Sequence, residues 1–262
     1  MKVLVTVKEV AELEDDFELE GTSVDEKYLE YDLNEWDDYA VEEGVQISED
    51  VDDVEVVTVT IGPERAEETI RMALAKGADR AIRVWDDSIE ETDLLDVKTK
   101  ARLFAGVVEE EEPDLVLTGV QAGDDAFGAT GVALADCIDF EWAAVVSALD
   151  LDVDAGVAHV HRELEGGVDE LADVELPAVL TIQTGINEPR YASLRGIRQA
   201  QSKEIAVETP ADVGVDAIES ELTLTDMYEP ESESNAEIFE GEPDETAAKL
   251  AEVLREKGVA QQ

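Results

Sequence analysis

Basic residues are scarce in this 262-residue sequence, which contains 19 lysines and arginines against 68 aspartates and glutamates, a formal net charge of −49. The acids are spread along the whole chain. Repulsion of this size weakens a compact fold in dilute salt and is relieved by screening, which predicts adaptation to a cytoplasm of very high salt. An acidic tail or a mimic of nucleic acid would require the acids to cluster. The charge also argues against binding nucleic acid or an anionic membrane.

Cysteine is nearly absent. The single cysteine, Cys137, excludes an internal disulfide framework, and its place in the apolar run ALADCI predicts a core residue. Charged residues follow Met1 too early for a signal peptide, and no apolar run is long enough to span a bilayer. We therefore expect a cytoplasmic protein without direct membrane insertion.

Phosphate-gripping and hydrolytic motifs are missing too. The sequence contains no GxxxxGK[ST] loop, no GxGxxG, no SGGxDS-type loop and no G-x-S-x-G elbow. His159 and His161 are two residues apart on a predicted strand and share one face. They are either metal ligands without an evident third ligand or solvated strand residues, and the pattern favours the solvated residues. The sequence thus supports nucleotide binding better than catalysis.

Apolar runs and helical patterns alternate through the first half of the chain. The predicted strands are residues 2–7, 54–61, 81–85 and 114–118, with a small hairpin at 17–29. The predicted helices are residues 34–41, 64–76, 93–110 and 132–138. This alternation is typical of βαβ units and predicts an α/β fold with a mostly parallel sheet covered by helices on both faces.

The second half has a different pattern. Three strand-like segments are predicted to form a smaller antiparallel layer or to extend the sheet: residues 143–151, 156–164 and 175–182. Residues 204–213 look irregular, and residues 222–227 form a short extended piece. We therefore expect one domain over residues 1–228.

Residues 229–262 are predicted to form a separate arm. The stretch 229–245 is acidic throughout and predicts a solvated, extended chain. An amphipathic helix is predicted at residues 243–257, and its apolar stripe must be buried somewhere, for example on a partner subunit. The residues of that stripe are Ala247, Leu250, Ala251 and Leu254.

The loop at residues 119–131, GVQAGDDAFGATG, is the richest site candidate. It follows a predicted parallel strand, and ligands of such sheets bind beyond the carboxyl ends of strands. Its glycines let backbone approach a ligand, and the helix beginning near residues 128–130 would offer free N–H groups to a phosphate. Asp124 and Asp125 could accept hydrogen bonds from a ribose or a ring. A well-capped glycine-rich connection explains the same letters, so both interpretations stay open.

Residues 183–203 concentrate positive charge, with four basic residues against one acid. Asn187 can cap a helix whose first turn contains Pro189, and Leu194 follows at helical spacing. A short basic helix on an acidic protein is either a docking element or an internal counterweight to the acid. In the second case Arg190 would pair within the fold.

Several blocks of this sequence, in the same order, resemble the electron transfer flavoprotein β-subunit family, in an extremely acidic form of the haloarchaeal type. The signature-like block is INEPRYASLRGIRQAQSKEI, preceded by HRELEGGVDELADVELPAVLT. The further blocks are DLNEWDDYAVEE, GPERAEETIRMALAKGADRAI, DLVLTGVQAGDD and ADVGVD. The resemblance covers nearly the full chain.

The resemblance implies an electron carrier and not an enzyme. The fold would be adenine-nucleotide α-hydrolase-like, and the partner would be a flavoprotein α-subunit that holds most of the FAD. Electrons would pass from dehydrogenases, such as the acyl-CoA dehydrogenases of fatty acid oxidation, to a quinone-linked oxidoreductase. The β-subunit would hold AMP or, in bifurcating members, a second FAD. Stand-alone, stress-type nucleotide binding and a scaffold with an empty site remain alternatives.

The resemblance also implies two sets of residues. The cofactor-binding set is Thr6, Asn34, Glu35, Trp36, Asp37, Ile61, Gly119, Gln121, Ala122, Asp124, Asp125, Gly128, Ala129 and Thr130. The partner-docking set is Asn187, Arg190, Tyr191, Leu194, Arg195 and Arg198. In the family the leucine of the YASL segment enters a dehydrogenase pocket, which implies that role for Leu194. Gly128 and Ala129 stand where AMP-binding members have Asn and Gln, so the nucleotide remains open between AMP, FAD and none.

Overall fold

A computed structural model describes residues 1–14, 17–92, 94–229, 236 and 238–259. The chain forms two compact units, Met1–Met227 and Tyr228–Gln262. The strands of the described part of the first unit are β1 (Lys2–Thr6), β2 (Glu9–Leu13), β3 (Leu19–Glu20), β4 (Ser23–Val24), β5 (Leu29–Leu33), β6 (Glu55–Ile61), β7 (Arg80–Val84), β8 (Leu115–Gly119), β9 (Glu141–Asp152), β10 (Val157–Leu164), β11 (Val168–Glu175), β12 (Ala178–Ile182) and β13 (Ile205–Glu208). The helices there are α1 (Glu35–Asp50), α2 (Glu67–Lys76), α3 (Asp87–Glu90), α4 (Val97–Glu111), α5 (Thr130–Ile138) and α6 (Leu194–Ala200).

The described strands build one nine-stranded sheet in the order β11-β10-β9-β12-β8-β1-β6-β7-β13. From β9 to β13 every neighbouring pair is parallel, whereas β10 is antiparallel to both β9 and β11. The predicted α/β class with a mostly parallel sheet is therefore confirmed. Of the two arrangements left open for the later strands, the structure has the extension of the sheet. Two small antiparallel pairs, β2–β5 and β3–β4, lie outside the main sheet, and β3–β4 confirms the predicted hairpin.

Helices cover both faces because side chains alternate along each buried strand. Val3 and Val5 of β1 pack in one core cluster with side chains of α1 and α2, such as Val41 and Ile70. Leu4 packs in the other cluster with α4 and α5. Burying a large aliphatic side chain stabilises the fold by about 1.5–3 kcal/mol, and both faces of the central strands contribute.

The strand order reverses between β1 and β8, since the chain continues from β1 to β6 and β7 on one side and from β8 to β12 on the other. The carboxyl ends of β1, β6 and β8 therefore meet at one edge. A crevice outside such a reversal point is where open α/β sheets bind ligands.

Several fold predictions were wrong. Cys137 is exposed, because Leu134 and Ala135 face the sheet and two further residues turn the helix by about 200°. Residues 204–213 contain β13, which pairs with β7.

Two other boundaries also differ. The segment predicted as one strand at 175–182 is divided between the end of β11 and β12, and most of β11 was not predicted. The helix predicted from residue 93 begins at Val97, where Asp96 caps it by accepting from the Thr99 amide at 2.7 Å. Residue 93 itself lies outside the described residues.

The second unit contains α7 (Pro243–Glu256), which confirms the predicted helix, with Pro243 in its first turn. Within the described residues of this unit none of the α7 side chains is buried. The acidic stretch predicted at 229–245 lies partly outside the described residues. Across the described chain, no helix combines the length and apolar character that a bilayer crossing requires.

Candidate functional site

A cavity of about 460 Å³ opens at the carboxyl edge of the sheet, beside the point where the strand order reverses. Thr6 ends β1, Ile61 ends β6 and Gly119 ends β8, and all three line it. The loop between β8 and α5 forms another wall. The volume of the cavity lies within the range of about 300–1,000 Å³ that is usual for small-molecule sites.

The first turn of α1 fastens this loop to the strand ends. Asn34 is the N-cap residue of α1, but its side chain bonds to the loop and not to the helix: Nδ2 donates to the Gln121 carbonyl at 2.9 Å, and Oδ1 accepts from the Gly123 amide at 3.2 Å. Asp37 accepts from the backbone amides of Lys8 at 2.8 Å and Gly119 at 3.0 Å. One helical turn thus holds the ends of two strands.

Asp37 is 5% exposed at the cavity wall. Burial raises the pKa of Asp37 to about 7, against the opposing effect of hydrogen bonds from Lys8, Asn34 and Gly119. The carboxyl group of Asp37 therefore changes its charge near neutral pH.

Gly119 allows this close packing. A Cβ at this position would lie 2.5 Å from Oδ1 of Asp37 and 2.7 Å from Cβ of Trp36. Neither neighbour can move freely, because the carboxylate is hydrogen-bonded to two backbone amides and the Trp36 atom belongs to α1. A glycine is therefore required where β8 passes under the helix.

Two lysines meet the acids of the loop at the cavity. Lys8 Nζ lies 2.5 Å from Asp124 and 3.0 Å from Asp125, and Lys100 Nζ lies 2.5 Å from Asp125. Burial alone would raise the pKa of Asp125, but hydrogen bonds from Lys100 and Lys8 outweigh it and lower that pKa. Lys100 also lies 4.9 Å from the centre of the Phe127 ring. The loop is thereby tied to both β1 and α4.

The N-terminus of α5 opens on the same cavity, which Gly128, Ala129 and Thr130 line. The N-cap residue is Ala129, whose methyl group cannot accept a hydrogen bond. The first N–H groups of a helix carry a partial positive charge and bind anions such as phosphate. This end of the cavity therefore suits an anionic group.

The cavity brings together every predicted cofactor-binding residue except Glu35 and Trp36. Glu35 is exposed. The indole N–H of Trp36 donates to Oε1 of Gln183 at 3.1 Å, at the start of the predicted docking stretch.

Further cavity residues escaped prediction. They are Arg65, Trp85, Leu94, Leu95, Lys100 and Phe104. Lys8 and Thr118, at the ends of two predicted strands, and Val120, in the predicted loop, line the cavity as well. Lys100 lies on a helix 25 residues before Asp125, and no local pattern connects the two.

The other predicted set lies on residues 183–203, which we call the docking segment. Helix α6 begins at Leu194, because Ser193 caps it by accepting from the Gly196 amide at 3.0 Å. The predicted helix start at Asn187 and Pro189 is therefore wrong. Tyr191 is 99% exposed and Leu194 is 78% exposed. Arg195 and Arg198 are exposed as well.

Two other members of the set face α1. Nδ2 of Asn187 donates to the Tyr39 carbonyl at 3.1 Å and to Glu43 at 2.9 Å. Arg190 pairs with Glu42 at 2.8 Å and with Glu49 at 2.6 Å. Arg190 thus makes the internal pairs that the counterweight interpretation required, while the exposed residues remain available to a partner.

The two histidines lie on β10, and each is close to an aspartate of the neighbouring strand β11. His159 lies 2.6 Å from Asp173, and His161 lies 3.3 Å from Asp169. In the described part of the chain, no three His, Cys, Asp or Glu side chains converge as a metal site would require.

Comparison with known proteins identifies the family. Residues 21–213 match the model of the electron transfer flavoprotein domain. The chain is 47% identical over 264 residues to the electron transfer flavoprotein subunit beta of Methylophilus methylotrophus, with 98% of each chain covered. It is 38% identical over 232 residues to the corresponding subunit of Bradyrhizobium diazoefficiens, with 88% of this chain and 90% of the relative covered. It is 36% identical over 257 residues to that of Homo sapiens, with 97% and 98% covered. The chain belongs to the electron transfer flavoprotein β-subunit family.

Proposed function

We propose that the chain is the β-subunit of a heterodimeric electron transfer flavoprotein and acts as an electron carrier, not as an enzyme with its own substrate. Family membership supports this function. The chain would help an α-subunit to hold FAD. The heterodimer would accept electrons from dehydrogenases such as acyl-CoA dehydrogenases and deliver them to a quinone-linked acceptor. The net charge of −49 supports work in a cytoplasm of high salt.

The observation that carries the ligand proposal is the cavity at the carboxyl edge of the sheet. Its volume of about 460 Å³ is at the lower end of the usual range, which favours a mononucleotide over a dinucleotide such as FAD. The α5 N-terminus would hold the phosphate. We therefore propose AMP as the ligand, with a structural role.

The residues present fit such a ligand without Asn and Gln side chains at positions 128 and 129, since backbone N–H groups would bind the phosphate. Asn34 and Asp37 would keep the loop and the strand ends in place, and Lys8 and Lys100 would balance the loop acids. The scaffold alternative is favoured by a single observation, the small side chains of Gly128 and Ala129.

The docking segment would present Tyr191 and Leu194 to a dehydrogenase. An exposed leucine at the first position of a short capped helix, three residues after an exposed tyrosine, is suited to a partner's apolar pocket. The exposed Arg195 and Arg198 would speed the encounter with an acidic partner surface.

Leu194→Ala tests this function in the heterodimer with its α-subunit. We expect at least a roughly tenfold loss of electron transfer from a dehydrogenase that reduces the wild type, with the flavin spectrum unchanged. Leu171→Ala is the matched control, because Leu171 is 81% exposed on β11, away from the segment. Loss of flavin in Leu194→Ala would make the residue structural, and ATP turnover by the isolated chain would support the stand-alone alternative.

A further inference from the structure

A charged clasp holds the docking segment to α1. It consists of Arg190, Glu42 and Glu49. The guanidinium donates to both oxygens of Glu42, at 2.8 and 3.0 Å, and to both oxygens of Glu49, at 2.6 and 2.9 Å. The Arg190 backbone amide also donates to Glu42 at 3.0 Å. Paired hydrogen bonds to a planar guanidinium fix direction as well as distance.

The two glutamates differ in their surroundings. Glu42 is 3% exposed, whereas the Glu49 side chain is 57% exposed. Burial alone would raise the pKa of Glu42, but hydrogen bonds from Arg190 and Gln46 outweigh it, so that pKa is lowered. Glu42 is therefore an ionised carboxylate beneath the segment, where a partner protein cannot reach it.

The remainder of the segment is fixed at its far end. Arg71 of α2 donates to the carbonyl oxygens of Ala200 at 2.6 Å and Lys203 at 2.7 Å. A Cβ at Gly196 would overlap the carbonyl oxygen of Ala75, so α6 lies directly against α2. Tyr191 and Leu194 are thus located between two fixed points.

We propose that Glu42 and Glu49 are positioning residues, which act through Arg190 to hold Tyr191 and Leu194 in the conformation that a partner binds. This inference rests on the proposed docking function. A segment ordered before binding avoids the entropy cost of being ordered by the partner. Arg190, one residue before Tyr191, then serves the inside of the protein more than the partner.

A double-mutant cycle on the heterodimer tests the clasp. The variants are Glu42→Gln, Arg190→Gln and the two combined. With a dehydrogenase that reduces the wild type, we expect each single variant to raise the KM for the heterodimer roughly tenfold and the double variant to raise it no further. We expect kcat and flavin content to stay unchanged, and backbone hydrogen exchange to speed up across residues 187–198 in the heterodimer alone.

Arg80→Gln is the matched control, because it breaks pairs with Glu55 and Glu111, which involve the starts of β6 and β7 and the end of α4 and no residue of the docking segment. It should leave the KM and the exchange of the docking segment unchanged. If Glu42→Gln lowers the yield of folded chain, Glu49→Gln removes the exposed half of the clasp instead, and we expect faster exchange and a smaller rise in KM.

One pattern would overturn the inference: Arg190→Gln raises the KM while both glutamate variants keep the wild-type KM and exchange. Arg190 would then contact the partner directly. A wild-type KM in both Tyr191→Ala and Leu194→Ala would instead overturn the proposed docking function, whatever the clasp variants show.

Discussion

Two loops leave neighbouring strands of the sheet and have different structures. β8 and β12 are parallel, with Thr118 beside Thr181 and Gly119 beside Ile182. Each strand is followed by a loop and then by a short helix, α5 or α6. The loop after β8 is hydrogen-bonded to Asn34 and lines the cavity, whereas the loop after β12 is hydrogen-bonded to α1 through Asn187 and Arg190.

The two helices start differently, and each start determines what its loop can bind. Ala129 offers α5 no side-chain acceptor, so the first N–H groups of α5 remain suited to an anion. Ser193 closes the start of α6 with its own hydroxyl, and the apolar side chains of Tyr191 and Leu194 face solvent instead. The same strand–loop–helix plan thus serves a small anionic ligand in one place and a protein surface in the other.

Removing salt should have the largest effect, because it should unfold the chain and both loops with it. The formal charge of −49 acts on the whole chain, and lowering ionic strength lengthens the range of its repulsion. We expect the melting temperature to fall steeply, with loss of both loops, as potassium chloride is dialysed away. An unchanged melting temperature across the salt series would refute the halophilic interpretation.

Gly119→Ala should damage the inner loop and leave the outer loop in place. The added Cβ would overlap Asp37 and Trp36, so we expect a loss of about 3 kcal/mol in the free energy of unfolding together with loss of the nucleotide. Gly123→Ala is the control, because its Cβ would meet open space. Equal behaviour of the two variants in denaturant unfolding would show that packing under α1 is unimportant.

Titration of Asp37 should make the free energy of unfolding depend on pH. Its pKa is about 7 when folded, against 3.8 ordinarily, so between these values the folded chain keeps a proton that the unfolded chain has lost. The stability contributed by this proton is complete below pH 3.8 and is lost as pH rises through 7. We expect the free energy of unfolding of the wild type, relative to that of Asp37→Asn, to fall by about 2 kcal/mol from pH 5 to pH 6.5.

Denaturant titrations at the two pH values in molar salt measure this difference. A difference that does not change with pH would mean that Asp37 is already ionised at pH 5. The docking segment provides the contrast, because Arg190 holds Glu42 ionised and lowers its pKa. Glu42→Gln should therefore show no comparable change over that interval.

Exchanging the two helix caps should have the smallest effect on stability. It tests directly whether the first N–H groups of each helix are free to bind a ligand. Ala129→Ser should stabilise the nucleotide-free chain by about 1 kcal/mol and weaken nucleotide binding, because the new hydroxyl competes for the same N–H groups. Ser193→Ala should destabilise α6 by about 1 kcal/mol and leave nucleotide affinity unchanged. Calorimetric titration with AMP and denaturant unfolding check both variants. Tighter AMP binding in Ala129→Ser would mean that the α5 N-terminus does not hold the phosphate.

The parts of the fold that could be predicted are those with strong local patterns. The apolar run of β6 and the helical spacing of α2, which ends at Gly77, were predicted closely. β11 was largely missed because an edge strand with the sequence VDELADVE buries little and lacks an apolar alternation. β13 is four residues long at the other edge, too short for a pattern.

The candidate site was predicted through motif resemblance more than through local pattern. The glycine-rich loop marked one wall of the cavity, whereas Lys100 reaches it through tertiary packing. The start of α6 was misjudged because Asn187 and Arg190 bind α1, and these tertiary bonds hold residues 187–190 outside the helix. Local propensity at Pro189 carried no information about Glu42, which lies 148 residues away from Arg190.

The nucleotide and flavin content of the purified heterodimer shows whether the chain holds AMP while the α-subunit holds FAD. The chain is co-expressed with its α-subunit, purified in molar salt and denatured, and the released cofactors are quantified by chromatography and mass spectrometry. We predict one FAD and one AMP per heterodimer, with AMP lost in Gly119→Ala and retained in Leu194→Ala. A heterodimer that carries flavin without any nucleotide, or with a second FAD in place of AMP, would contradict this prediction.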